Sequence, residues 1–171
     1  MAKIKSPYGK FVLKTANDTR KLGERLAKSL VGGEVILAYA PMGVGKTCFA
    51  QGLAKGLGID RVVNSPTFNM IKVYRGTSLT FYHVDAYRLE NKDENRDIGL
   101  TELLNDPSGV CYIEWPEYIV DEFENVKDFI TVELTMNKDG TREELIRHGR
   151  TKLESYFDRC IYEKLERSHI V

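Results

Sequence analysis

Cysteine is scarce in this chain: Cys48, Cys111 and Cys160 are the only three in 171 residues. They lie far apart, form no C-x-x-C pair and have no histidine at metal-ligand spacing, so neither a zinc site nor a disulfide framework is built on them. Each is expected to be a small apolar residue in or near the core. Long apolar runs are missing too. The longest early one, Val35 to Ala40, is far short of the roughly 20 residues that cross a bilayer. The opening MAKIKSPYGK has no apolar stretch of signal-peptide length, so a cytoplasmic protein without membrane association is expected. There is no net charge, with 25 Lys and Arg against 25 Asp and Glu. There is no continuous basic stripe with interleaved aromatics, so strong direct nucleic-acid binding is not indicated. Repeats, low-complexity tracts and linkers are lacking as well. A single domain spanning 1–171 is the expectation.

What is present has the make-up of an ordinary globular protein, 42% hydrophobic and 29% charged. The balanced charge conceals a division along the chain. Residues 1–75 hold 13 Lys and Arg against 4 acids, residues 76–128 hold 4 against 13, and the remainder is even. Such a division suits a dipolar surface that steers a protein partner. Asp18 to Leu30 reads as an amphipathic helix with Leu22, Leu26 and Leu30 on one face, stopped by Gly32-Gly33. Glu34 to Tyr39 reads as a buried strand, and Lys46 to Leu57 as a helix through Phe49, Ala50, Leu53, Ala54 and Leu57. Thr67–Arg75 and Leu79–Val84 form an antiparallel pair about Gly76-Thr77. Asp97–Asn105 is a short helix, Val110–Ile113 a buried strand ended by Pro116, and Ile130–Met136 with Arg142–Arg147 a hairpin about Asn137-Lys138-Asp139-Gly140. Arg150–Arg167 closes the chain as a helix. Strands alternating with helices predict an α/β three-layer sandwich with a mixed, partly parallel sheet.

Between the first buried strand and the next helix stands Ala40-Pro41-Met42-Gly43-Val44-Gly45-Lys46-Thr47. It matches the phosphate-binding pattern G-x-x-x-x-G-K-[ST] except at the first place, where Ala40 replaces glycine. In such a strand–turn–helix loop, successive backbone N–H groups curl around a phosphate at a helix N-terminus. Those donors would come from Gly43, Val44, Gly45, Lys46, Thr47 and Cys48. Lys46 would reach the β- and γ-phosphates, and the Thr47 hydroxyl would ligate Mg²⁺. Pro41 pushes Ala40 into the extended region, which an L-residue adopts without strain. Pro41 lacks an N–H but precedes the amides that cradle phosphate, so the departure is expected to be tolerated.

Two apolar runs end in a carboxylate: Phe81-Tyr82-His83-Val84-Asp85 and Val110-Cys111-Tyr112-Ile113-Glu114. At strand ends beside a phosphate loop, such groups hold Mg²⁺ directly or through water and orient an attacking water. Trp115, the sole tryptophan, follows Glu114 as a core-edge indole or as a lid or stacking residue. Alternation places His83 in the sheet, where a structural role is favoured over that of a base. Thr67, in the loop Asn64-Ser65-Pro66-Thr67, is a candidate γ-phosphate sensor of the switch type.

Gly43-Val44-Gly45-Lys46-Thr47, Ser65-Pro66-Thr67-Phe68, His83-Val84-Asp85-Ala86-Tyr87-Arg88 and Ile113-Glu114-Trp115-Pro116-Glu117 together resemble the TsaE (YjeE) family, in order and spacing, over roughly residues 15–150. That family consists of bacterial P-loop ATPases of tRNA threonylcarbamoyladenosine synthesis. Its loop usually begins Gly-Asp-Leu-Gly, so Ala40-Pro41-Met42 departs from it. The resemblance implies a small ATPase, weak alone, that works with TsaB and TsaD and meets tRNA only through that complex. Hydrolysis would reset the machinery between turnovers. It further implies that Lys46 and Thr47 serve phosphate and Mg²⁺, and that Thr67 and Asp85 are switch-type catalytic positions. Glu114 becomes the Walker-B-like carboxylate, with Trp115 as its neighbour at the nucleotide. The acidic segment 85–128 would then face a basic partner surface. Two other classes share the loop. A small-molecule kinase usually has an arginine-rich lid, yet only Arg88 and Arg96 follow Asp85 amid many acids. A nucleotide-gated binding module would bind ATP without turnover. Guanine is disfavoured because Asn91-Lys92-Asp93-Glu94 and Asn137-Lys138-Asp139-Gly140 both lack the fourth Asp of Asn-Lys-x-Asp.

Overall fold

The computed structural model describes residues 6–41, 43–64, 66, 70–87, 99–126 and 128–150, the last by its backbone only. Thr67 lies outside the described residues, as do positions 88–98 of the acidic segment 85–128, Arg88 and Arg96 among them. Seven strands carry the fold: β1 Gly9–Leu13, β2 Val35–Tyr39, β3 Ile71–Arg75, β4 Thr80–Asp85, β5 Gly109–Glu114, β6 Asp128–Met136 and β7 Arg142–Arg150. They form one sheet in the order β1-β7-β6-β2-β5-β4-β3. The centre is parallel, with β2 between β5 and β6 and β4 beside β5. The hairpins β3–β4 and β6–β7 and the pair β1–β7 are antiparallel. The sheet is therefore mixed, as the alternation of elements predicts.

Two corrections concern the ends of the chain. β1 was not expected, because Gly9-Lys10-Phe11-Val12-Leu13 is too short to announce itself and becomes a strand by pairing with β7. Arg150, expected to open a helix, instead ends β7; positions 151–167 lie outside the described residues.

Helix α1 spans Ala16–Ala27 and starts two residues before the expected Asp18. Thr15 explains the shift. Its hydroxyl accepts from the Asp18 N–H at 3.1 Å, and the Asp18 carboxylate accepts from the Thr15 N–H at 3.1 Å, a reciprocal cap. Helix α2 spans Lys46–Gly56. Both helices lie on one face of the sheet, where Leu22, Leu26, Phe49 and Leu53 pack on Ile36, Phe81, Val110 and Tyr112. The other face carries α3, Leu100–Leu104, and a short 3-10 segment, Pro116–Phe123, which follows β5 where the chain was expected simply to end its strand. Leu100, Leu104, Ile119 and Phe123 cover Val35, Leu37, Val84 and Ile113 there. Sheet and coverings make three layers.

The contact of α1 with α2 is backbone on backbone. A methyl on Gly23 would come within 2.5 Å of the Phe49 carbonyl oxygen, and one on Gly52 would run into the Arg20 carbonyl. Glycine is needed at both places because nothing wider fits between the helix axes. This crossing holds α2, and with it the turn at its N-terminus, against the sheet.

Candidate functional site

All four parallel strands point the same way, so their C-terminal ends share one edge of the sheet. In such sheets ligands bind outside those ends. β2 finishes at Tyr39 and passes through residues 40–45 into α2. Register places Ala38 beside Glu114 and Glu114 beside Asp85. The loop and both strand-end carboxylates are therefore neighbours, although Asp85 and Glu114 lie 45 and 74 positions beyond Ala40 in sequence.

Within the loop, Gly43 and Gly45 have φ of 78° and 118°. An L-residue is strained there, and glycine is not. A methyl on Gly43 would meet nothing within 4 Å, so the space over the loop is open on that side. No side chain among the described residues caps α2, whose first-turn N–H groups have no intrahelical acceptors. Backbone donors around an open turn at the positive end of a helix fit a phosphate group. Ala40 is not among the residues with positive φ. It is buried, and its carbonyl accepts from the Lys46 ammonium at 3.1 Å.

Lys46 is only 7% exposed. Burial lowers its pKa, while Glu114, Asp85 and Glu117 oppose that shift by favouring the charged form. Its ammonium also lies 3.9 Å from the centre of the Trp115 ring, within cation–π range. Trp115 is the only described non-glycine residue with positive φ, at φ 57° and ψ 48°. The left-handed region costs an L-residue about 1–2 kcal/mol, and such outliers gather at functional sites. The ring is held by Tyr87 at 5.3 Å and Tyr118 at 6.2 Å between centroids.

Asp85 accepts from the Tyr87 N–H at 3.0 Å. Burial raises its carboxyl above the ordinary range, and nearby Glu114 adds to this; the Tyr87 N–H, Lys46 and His83 pull the other way. Glu114 is buried, and its Oε2 lies 2.6 Å from His83 Nε2. Thr47 and Cys48 are partly exposed in the first turn of α2, and Val44 is buried in the loop. Among the described residues, no group of three or more His, Cys, Asp or Glu is placed to hold a metal. One hydroxyl and one or two carboxylates beside a phosphate are the ligands typical of Mg²⁺ rather than an all-protein cage.

A family model described as threonylcarbamoyl adenosine biosynthesis protein TsaE matches residues 13–144. The chain belongs to the TsaE family. It is 40% identical over 132 residues to the tRNA threonylcarbamoyladenosine biosynthesis protein TsaE of Treponema pallidum, covering 77% of this chain and 95% of the relative. It is 38% identical over 144 residues to the protein of that name from Bacillus subtilis, covering 77% and 89%. The crystal structure of Bacillus subtilis YdiB superposes with a TM-score of 0.68 at 27% identity, covering 94% of this chain and 95% of that one. The fold is P-loop NTPase-like. Among the described residues, no helix of this TsaE-family chain is long and apolar enough to cross a membrane.

The structure thus brings together Gly43, Val44, Gly45, Lys46, Thr47, Cys48, Asp85, Glu114 and Trp115, while Thr67 lies outside the described residues. Sequence reasoning missed four contributors. The Tyr112 hydroxyl donates to the Lys46 carbonyl at 3.0 Å and ties β5 to the start of α2. Tyr87 and Tyr118 frame Trp115. Arg142, on β7, brings its guanidinium to 3.1 Å from where a Gly45 methyl would stand. Tyr112 had a signal, since strand alternation sets it on the same face as Glu114; Arg142 had none.

Proposed function

We propose that this TsaE-family chain is the ATP-binding and ATP-hydrolysing subunit of the tRNA threonylcarbamoyladenosine machinery, working with TsaB and TsaD and resetting that complex between turnovers. The observation that carries the reading is the meeting of Lys46, at an uncapped helix N-terminus behind two positive-φ glycines, with the strand-end carboxylates Glu114 and Asp85. The family relationship supplies the pathway.

In this reading, the N–H groups from Gly43 to Cys48 bind the phosphates and the Lys46 ammonium pairs with the β- and γ-oxygens. Thr47 and Glu114 would hold Mg²⁺, which when bound neutralises charge developing on the phosphate oxygens. Glu114 and Asp85 orient the attacking water, and Thr67 senses the γ-phosphate. Lys46 starts from a bond to the Ala40 carbonyl and a contact with Trp115, and reaching phosphate means leaving both. A chain whose lysine is occupied in this way turns over slowly until partners reshape the site.

The test is the ATPase rate of the purified chain, alone and with TsaB and TsaD. Slow turnover alone, faster turnover in the complex and near loss in Lys46→Ala and Glu114→Ala are expected. Rapid phosphoryl transfer to a small acceptor without partners would make the chain a kinase. Binding without turnover, even in the complex, would make it a gated module. Either result overturns the proposal.

A further inference from the structure

We propose that His83 is a positioning residue for Glu114: its imidazole commits Oε2 and fixes the plane of the carboxylate that serves the nucleotide's metal. The inference rests on the ATPase reading and adds a residue to it.

The geometry begins with register. β4 and β5 run parallel, with His83 opposite Tyr112 and Asp85 opposite Glu114. Positions two apart in a strand share a face, so Phe81, His83 and Asp85 project to the same side as Val110, Tyr112 and Glu114, the side carrying α2. From there His83 reaches one step diagonally across the ladder to Glu114, Nε2 to Oε2, at 2.6 Å. Side-chain exposure is 0% for the histidine and 5% for the glutamate, so water does not compete for the bond.

The ring is also packed between aromatic neighbours. Tyr112 meets it edge-on at 5.4 Å between centroids and Phe81 packs at 6.0 Å. The other nitrogen, Nδ1, is buried with no hydrogen-bond partner among the described residues. A buried N–H left unpaired costs free energy. The tautomer that leaves none has its proton on Nε2, donated to the carboxylate. Tyr112 then links this pair to the phosphate helix, because the residue that packs the imidazole also donates to the Lys46 carbonyl. The carboxylate and the lysine are thus mounted on one frame. Partners of metal-binding side chains orient them, and losing such a partner typically lowers metal affinity about 10- to 100-fold.

A histidine that merely fills the core would affect stability alone, so the readout is the coupling between Mg²⁺ and ATP. ATP affinity of the full chain is measured by calorimetry in Mg²⁺ and in EDTA, for wild type, His83→Gln, His83→Asn and His83→Leu. A glutamine amide reaches the place of the imidazole Nε2, whereas an asparagine amide reaches only that of Nδ1. His83→Gln is expected to keep the Mg²⁺ enhancement of ATP affinity. His83→Asn and His83→Leu are expected to lose about 10-fold of it or more while keeping wild-type affinity in EDTA. If His83→Leu does not fold, the Gln and Asn pair still decides the matter. Equal enhancement in Gln and Asn overturns the proposal, as does loss of affinity in EDTA by both. ATP binding by the wild type with no Mg²⁺ effect overturns it while leaving nucleotide binding standing. No ATP binding at all by the wild type overturns the underlying reading as well.

Discussion

Replacing Gly52 with alanine sets two effects of opposite sign against each other. Gly52 is an interior position of α2, where alanine is favoured over glycine by about 1 kcal/mol of helix propensity. The packing says the reverse. An alanine methyl would run into the Arg20 carbonyl of α1, with the carbonyl carbon 2.8 Å away. Both sides of that contact are main chain, so no rotamer change relieves it; the helices must part. Overpacking of this kind typically costs 1–3 kcal/mol. A clash between two backbones belongs at the upper end, about 3 kcal/mol, which leaves a net loss of about 2 kcal/mol after the propensity gain. Urea unfolding followed by far-ultraviolet circular dichroism would read it directly. Thermal unfolding would show it as a fall of roughly 4–8 °C. Because α2 carries the loop at its N-terminus, ATP affinity should fall as well. A Gly52→Ala chain as stable as the wild type, or more so, would show that propensity wins and that the α1–α2 contact is not what holds the helix in place.

Three further outcomes are expected. Ala40→Gly should change ATP affinity by less than tenfold, or about 1.4 kcal/mol, because Ala40 has ordinary backbone geometry and contributes its carbonyl rather than its side chain; a larger change by calorimetry would refute this. The emission of Trp115, the sole tryptophan, should change on saturation with ATP as Lys46 leaves its ring, and Lys46→Met should alter the ligand-free spectrum and abolish the response; an unchanged spectrum at saturation would count against the contact. Glu144, on β7, is fully buried with neither carboxyl oxygen hydrogen-bonded among the described residues, and burial raises its pKa well above the ordinary value. The folded chain keeps that proton while the unfolded chain releases it above its own pKa, so stability falls as pH rises, by up to about 1.4 kcal/mol per unit. Glu144→Gln removes this slope. Its stability relative to wild type should therefore grow between pH 5 and pH 8 in urea unfolding, and a difference independent of pH would refute the assignment.

Much of the site is visible in the residue order because its parts are local. Gly43, Gly45, Lys46 and Thr47 lie within five positions, and a strand before them and a helix after them have clear periodicities. Asp85 and Glu114 each end an apolar run, so their place at a strand terminus follows from pattern alone. The reading of Ala40-Pro41 follows from the stereochemistry of a residue before proline. Elements that exist by pairing or capping were less legible. β1 depends on β7, and the start of α1 depends on the Thr15–Asp18 exchange. The 3-10 segment after Trp115 is set by packing of Ile119 and Phe123 on the far face.

The sequence by itself therefore determined the candidate phosphate loop, the two strand-end carboxylates and the α/β class, since each is encoded in spacing along the chain. Tertiary structure alone decided how these groups are arranged. Parallel register aligned Glu114 with Asp85 and set His83 against Glu114. The glycine crossing of α1 and α2 placed the loop, and the aromatic cluster held Trp115 over Lys46 in a left-handed backbone. Those relations join residues dozens of positions apart, and one-dimensional spacing carries no information on which strands become neighbours.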